Sequence, residues 1–112
     1  MAGRFGTDGI RGEVGSEVTV ELALALGRAV GHRFVHGESI LIGRDTRRSG
    51  EMLAAALAAG VTSAGADWID LGVVTTPCLV HASGDVGAPA IMVSASHNPA
   101  PDNGLKVIVA GR

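Results

Sequence analysis

The chain has few residues that could serve as covalent or aromatic anchors. Cys78 is its one cysteine in 112 residues, which excludes a disulfide within the chain, and aromatic residues make up only 3%. Nine Lys and Arg against eleven Asp and Glu give a formal net charge of -2 at pH 7. This balance provides no broad basic field, so we expect neither a nucleic-acid partner nor binding to an anionic membrane.

The sequence also lacks a long hydrophobic run. Its longest apolar stretch, residues 52–61, is interrupted by Gly60 and is far shorter than the roughly 20 residues of a membrane span. Residues 1–6 contain no apolar segment of the kind found in signal peptides. With 46% hydrophobic and 18% charged residues, the composition is typical of one globular domain, which we predict to be cytoplasmic.

Short apolar runs alternate with amphipathic segments along the chain. This pattern predicts an α/β fold with three layers, α/β/α, and a mainly parallel or mixed sheet of about four strands and three helices. Residues 4–12 are left open as an edge hairpin or a loop. The predicted strands are 39–43, 67–74, 89–94 and 105–109, and the predicted helices begin at Thr19, Ser49 and Thr76 and end near Gly37, Gly65 and Gly84. Because no helix follows the last strand, its apolar face is expected to be exposed or paired elsewhere.

Two polar loops, 43–50 and 94–104, each follow a predicted strand. Functional residues of such sheets lie in the loops beyond the carboxyl ends of the strands. In the second loop, Ser96 would have a hydroxyl at a strand end, with His97 and Asn98 beside it. A turn is predicted at 102–104, and Lys106 would reach the same site if the loop folds back. The alternative interpretation is an ordinary polar loop.

Arginine dominates the cations and lies in glycine-rich segments. Arg forms planar, two-pronged hydrogen bonds to phosphate oxygens, so these residues are candidate phosphate binders. The candidates are Arg11, Arg44, Arg47 and Arg48. The alternative is surface charge paired with Asp8 and Asp45. No His and Cys cluster with metal-ligand spacing occurs, so Mg²⁺ would have to bind through phosphate and carboxylate oxygens.

Four motifs together resemble the α-D-phosphohexomutases. SASHNP at 94–99 followed by DNGLK at 102–106 is similar to their active-site loop, and FGTDGIRG at 5–12 is similar to their N-terminal segment. GRDTRRSG at 43–50 and GVVTTP at 72–77 resemble further signatures of the family, in the family's order. The motifs are most similar to the phosphoglucosamine mutase branch, with the phosphomannomutase and phosphoglucomutase branches as alternatives.

The resemblance implies a reaction and a role for each candidate residue. The family interconverts a sugar 6-phosphate and its 1-phosphate through a phosphoserine and a bisphosphate intermediate. Ser96 would be the phosphoserine and would contribute a phosphate oxygen to Mg²⁺, while Lys106 and Arg11 would assist proton transfer and stabilise the transferring charge. His97 would act at the same site. Substrate-binding, phosphate-binding or loop-organising roles are expected of Asn98, Arg44, Arg47 and Asn103.

The resemblance further implies that residues 1–112 are the phosphoserine-bearing N-terminal domain of a longer mutase, in an incomplete form. An Asp-rich metal loop, a sugar-recognition loop and a phosphate-binding loop would come from later domains, expected in cis. We therefore predict no appreciable turnover of phosphosugar by the isolated chain. The remaining alternative is a stand-alone, non-catalytic module that binds phosphate, or binds a partner through an exposed sheet edge.

Overall fold

Five strands and three helices alternate along residues 9–109, the part of the chain described by the computed structural model. The α/β fold with a mixed sheet and three helices is confirmed. The elements are β1 (Ile10–Glu13), α1 (Val20–Arg33), β2 (Ile40–Arg44), α2 (Gly50–Ser63), β3 (Trp68–Val73), α3 (Thr76–Val86), β4 (Ala90–Val93) and β5 (Asp102–Ile108).

The strands form one sheet in the order β1-β5-β4-β2-β3. β2 is parallel to β3 and β4, whereas β5 is antiparallel to both β4 and β1. The described sheet has one strand more than the four expected, because Ile10–Glu13 pairs with the first half of β5. Residues 5–8 of the FGTDGIRG motif lie outside the described residues.

The turn expected at 102–104 is wrong, because these residues begin β5. Asp102, Asn103 and Gly104 lie opposite residues 13, 12 and 11 of β1, and this pairing keeps them extended. β5 is also an interior strand with a buried Leu105 and Ile108. Of the two expectations for the last strand, pairing elsewhere is the one observed, and the sheet edges within the described part are β1 and β3.

Helices α1 and α2 pack closely on one face of the sheet through glycine. Thr19 caps α1 as predicted, because its Oγ1 accepts the Leu22 N–H at 3.0 Å. A Cβ added at Gly27 or at Gly60 would lie less than 3.0 Å from backbone of the other helix. The contact of α1 with α2 therefore uses small residues, whereas Ala29 of α1 is exposed.

Helix α3 covers the opposite face of the sheet. The Thr75 Oγ1 accepts the Cys78 N–H at 3.2 Å, and Pro77 lies in the first turn, as the Thr-Pro pair predicts. The helix continues to Val86, two residues beyond the predicted end at Gly84, and stops where Gly87 adopts a φ of 69°. Within residues 9–109, no helix is long and apolar enough to cross a membrane.

Candidate active site

The loops after β2 and β4 lie side by side at the carboxyl edge of the sheet. β2 and β4 are neighbours, with Arg44 opposite Val93. The pairing extends one residue further, since the Asp45 N–H donates to the Val93 carbonyl at 3.1 Å. The residues that follow these two strands therefore face each other, as expected for parallel neighbours.

Ser96 has an unusual backbone conformation. Its φ is 54°, and it is the one non-glycine residue between positions 9 and 109 with a positive φ. A side chain makes this left-handed region unfavourable by about 1–2 kcal/mol, so the surrounding structure must hold Ser96 there. The residue is exposed, which leaves its hydroxyl open to a phosphoryl donor or acceptor.

Both ends of Ser96 are tied to neighbouring side chains. Its N–H donates to the Ser94 Oγ at 3.1 Å, and its carbonyl accepts from Arg47 Nη2 at 2.8 Å. One residue before it, the Ala95 carbonyl accepts the Asn98 N–H at 3.0 Å and closes a turn. The backbone of Ser96 is therefore fixed from the β2 side as well as from within its own loop.

Arg47 uses all of its side-chain donors on protein oxygens. Nη2 donates to the carbonyls of residues 96 and 98, and Nη1 to those of 99 and 102, at 2.8–3.1 Å. Nε donates to Asp45 Oδ2 at 3.3 Å, and the side chain is 14% exposed. With five N–H groups engaged, this geometry favours the loop-organising interpretation of Arg47 over phosphate binding.

Asp45 and Ser94 connect these contacts, and the sequence interpretation missed both as site residues. Asp45 Oδ2 accepts the Ser94 hydroxyl at 2.7 Å as well as Arg47 Nε, and Oδ1 accepts the Arg47 backbone N–H at 3.0 Å. The sequence did offer a local signal for each. Asp45 stands two residues before Arg47 and Ser94 two residues before Ser96, and Asp and Ser side chains often accept hydrogen bonds from backbone N–H groups two residues later.

Arg11 and Lys106 lie on the sheet face opposite α1 and α2. Their neighbours Ile10 and Leu105 are buried in the core beneath those helices, and side chains alternate along a strand. Arg11 is opposite Gly104, where an added Cβ would meet the Arg11 Cγ at 3.0 Å and the Ser94 carbonyl at 2.5 Å. Both cations are half-buried, and Arg11 lies near the Ser94 carbonyl, since both are close to the position of a Cβ at Gly104.

The other predicted site residues have separate positions. His97 is exposed beside Ser96, and the Asn98 Nδ2 donates to Asp102 Oδ2 at 3.2 Å, which closes the loop on itself. Arg44 points towards α2 and β3, where it pairs with Glu51 at 3.5 Å and Asp70 at 3.9 Å. Their expected roles in binding or catalysis stay predictions.

Asn103 is fully buried at the base of the site. Its Nδ2 donates to the Ser49 Oγ at 2.9 Å, and its Oδ1 accepts the Gly104 N–H at 2.8 Å. Ser49 stands at the N-cap of α2 but makes no side-chain capping bond. The amide therefore links β5 to the start of α2, a geometry that favours the loop-organising interpretation of Asn103.

Replacing Asn103 by leucine is expected to lower the free energy of unfolding by about 1–3 kcal/mol, because buried polar partners lose their hydrogen bonds. Urea unfolding followed by the fluorescence of Trp68, the one tryptophan, measures this. The matched control is Asn98→Leu, in the half-buried loop, with an expected loss of less than half as much. Equal losses for both variants would contradict the linking role of Asn103.

The described residues do not form a magnesium site of their own. No group of three or more His, Cys, Asp or Glu side chains within 9–109 is placed to hold a metal ion. The nearby carboxylate of Asp45 is engaged at both oxygens by Ser94 and Arg47. A phosphorylated Ser96 would add one oxygen ligand, and the other ligands would have to come from elsewhere.

An α/β/α domain that presents a conformationally constrained, exposed serine in a loop at the carboxyl edge of its sheet is suited to phosphoryl transfer. Residues 2–111 match the family model described as phosphoglucomutase/phosphomannomutase, alpha/beta/alpha domain I, and the chain belongs to this family. The phosphohexomutase resemblance of the four motifs is thereby confirmed.

Curated relatives indicate the branch of the family to which the chain is most similar. A phosphoglucosamine mutase of Symbiobacterium thermophilum is 54% identical over 112 residues, and one of Desulforamulus reducens is 52% identical over 110 residues. Each alignment covers 95% of this chain and 25% of the relative. The chain thus spans about a quarter of the length of the curated relatives it matches.

Solved structures agree with the fold. A putative phosphomannomutase from Thermus thermophilus is 32% identical with a TM-score of 0.86, over 98% of this chain and 26% of that one. A phosphoglucomutase/phosphomannomutase family protein from Burkholderia thailandensis is 36% identical with a TM-score of 0.79, over 91% of this chain and 25% of that one.

Proposed function

We propose that this chain carries the phosphoserine of a phosphohexomutase that interconverts glucosamine 6-phosphate and glucosamine 1-phosphate. The observation that supports this most directly is Ser96, an exposed serine whose strained backbone is tied at both its N–H and its carbonyl. Phosphoryl transfer requires an in-line arrangement of oxygens and little other covalent chemistry, so a fixed serine is what the reaction needs.

The proposed cycle has two transfers that conserve the phosphate on the protein. In the first, the Oγ–P bond of phosphorylated Ser96 breaks as a sugar hydroxyl forms a new O–P bond, and the hydroxyl proton passes to the Ser96 Oγ, which yields the bisphosphate. In the second, the other O–P bond of the sugar breaks as the Ser96 Oγ forms a new O–P bond, and the serine proton passes to the sugar oxygen. Arg11 and Lys106 would stabilise the transferring charge, and Lys106 would assist the proton's departure.

The remaining parts of the reaction are proposed to lie in other domains of the same polypeptide. The described residues offer no metal cluster, so the further ligands of Mg²⁺ would come from those domains, with Ser96 adding a phosphate oxygen. The sugar and its distal phosphate would also be bound there. We propose a cytoplasmic enzyme that supplies aminosugar phosphate for biosynthesis, with no membrane and no nucleic acid involved.

Glucosamine phosphate is proposed over mannose or glucose phosphate because the curated relatives at 52–54% identity are named phosphoglucosamine mutases. The solved structures at 32–36% identity are named for the phosphomannomutase and phosphoglucomutase family. Competition among the three sugar phosphates for the complete mutase distinguishes these branches, and a preference for mannose or glucose phosphate would overturn the choice of sugar.

The proposal predicts that the complete mutase, incubated with glucosamine 1,6-bisphosphate, acquires phosphate at Ser96. Peptide mass spectrometry locates the group, and Ser94 in the same peptide is the internal control because the adjacent Asp45 carboxylate would repel a phosphate there. We expect phosphate on Ser96 alone. Turnover of glucosamine 6-phosphate by a protein with no phosphate on Ser96 would refute the assignment.

A further inference from the structure

We propose that Asp45 is a positioning residue for phosphoryl transfer at Ser96. Its carboxylate reaches both ends of the Ser96 backbone, through the Ser94 hydroxyl on one side and the Arg47 guanidinium on the other. The inference rests on the proposed function of Ser96, and it adds a device that keeps the serine in its reactive conformation.

The first connection runs through Ser94. A serine hydroxyl has one hydrogen, and here that hydrogen is donated to Asp45 Oδ2 at 2.7 Å. The oxygen lone pairs of Ser94 are consequently directed away from Asp45, and the Ser96 N–H donates to this oxygen at 3.1 Å. Without the carboxylate, the Ser94 hydroxyl could rotate, and its orientation towards Ser96 would no longer be set.

The second connection runs through Arg47. Nε donates to the same Oδ2 of Asp45 at 3.3 Å, which sets the plane of the guanidinium, and Nη2 donates to the Ser96 carbonyl at 2.8 Å. The Arg47 backbone N–H donates to Oδ1 at 3.0 Å, so the carboxylate is itself held in place. Both connections therefore meet at one anchored carboxylate.

The conformation of Ser96 gives this arrangement a catalytic consequence. A φ of 54° is unfavourable for a residue with a side chain, and Ser96 would leave this region if its two ties were loosened. Such a rotation would move the Oγ away from the in-line position, and a misplacement of about 1 Å costs roughly 100-fold in rate. Ser94 and Arg47 contact the Ser96 backbone, Asp45 bonds to both of them, and the Ser96 hydroxyl is left free among the described residues.

The test uses the complete mutase and compares Asp45→Asn, Ser94→Ala and Ser94→Thr. We expect Asp45→Asn and Ser94→Ala to lower kcat about 10- to 100-fold while KM changes less than about 3-fold, because the sugar is proposed to be bound by the other domains. Ser94→Thr keeps the hydroxyl and should retain most of the activity. The double variant Asp45→Asn with Ser94→Ala should have a kcat little lower than that of either of these single variants, because both changes act through one connected group. Asp85→Asn, on the exposed part of α3, is the matched control.

Two measurements keep the outcome decisive. Phosphate on Ser96 of the unaltered enzyme is determined in parallel: an active enzyme without it overturns the proposed function and this inference together. If Ser96 carries phosphate and Asp45→Asn keeps a normal kcat, or if Ser94→Thr is as impaired as Ser94→Ala, this inference alone is overturned. Should Asp45→Asn fail to fold, the comparison of Ser94→Ala with Ser94→Thr still tests the inference, because these two substitutions leave the contacts of Arg47 with Asp45 intact.

Discussion

Replacing Ser96 by alanine is expected to lower kcat of the complete mutase by at least about 10⁴-fold, because the group that forms and breaks the bond to phosphorus is removed. Ser94, the other serine of this loop, is not expected to substitute for it, because a phosphate there would be repelled by the Asp45 carboxylate. The measurement is a coupled assay of glucosamine 1-phosphate formation from the 6-phosphate, with saturating bisphosphate as activator.

The fold of this variant should be unchanged, which separates chemistry from stability. Alanine meets the same penalty as serine at a φ of 54°, and the two ties to residue 96 involve its backbone only. We expect the midpoint of thermal unfolding to match that of the unaltered protein. Ser63→Ala, at the end of α2, controls for loss of a serine hydroxyl elsewhere. A Ser96→Ala enzyme within about 10-fold of normal kcat would exclude Ser96 as the phosphoryl carrier.

Replacing Gly27 by leucine is expected to have the largest effect on stability. An added Cβ at this position would already meet the carbonyl group of Leu57 in α2 at less than 3.0 Å, and helix backbone cannot rotate aside as a side chain can. The two helices would have to separate and expose apolar surface. We expect the free energy of unfolding to fall by about 3 kcal/mol or more, a large share of the roughly 5–15 kcal/mol typical of a domain.

The control for this change is Ala29→Leu, two residues further along α1 and exposed. It adds the same side chain to the same helix without a facing backbone, so stability should change by less than about 0.5 kcal/mol. Urea unfolding of the purified chain, followed by circular dichroism, compares the two. Similar midpoints for both variants would show that the close approach of α1 and α2 is not required for stability.

The sequence predicted the parts of this fold that depend on local rules. Apolar runs such as residues 39–43 and 89–94 indicated interior strands, and Thr19 and Thr76-Pro77 marked helix starts because caps and proline act within one turn. The edge strand Ile10–Glu13 was harder to predict, because it is extended through pairing with residues 89 to 95 positions away. For the same reason, residues 102–104 suggested a turn although they lie in β5.

The candidate site likewise contains residues that the sequence could identify and features that it could not. Ser96, Arg11 and Lys106 could be singled out from motif resemblance and from the position of loops after strands. The positive φ of Ser96 could not, since serine has no preference for that region and its carbonyl is bonded by Arg47, 49 residues earlier. The arginines illustrate the limit: residue type suggested phosphate for all of them, whereas partners in space direct Arg47 to backbone and Arg44 to carboxylates.

Because Arg47 binds four backbone carbonyl groups, we expect the serine loop to tolerate some changes of side chain. Every amino acid presents the same carbonyl oxygen, so changes of side chain at positions 98–101 leave these acceptors available. The planar fork of five donors exists in arginine alone, and lysine at position 47 could satisfy only part of the set. Much of what shapes the serine loop thus lies outside it, in Asp45 and Arg47, about fifty positions earlier in the chain.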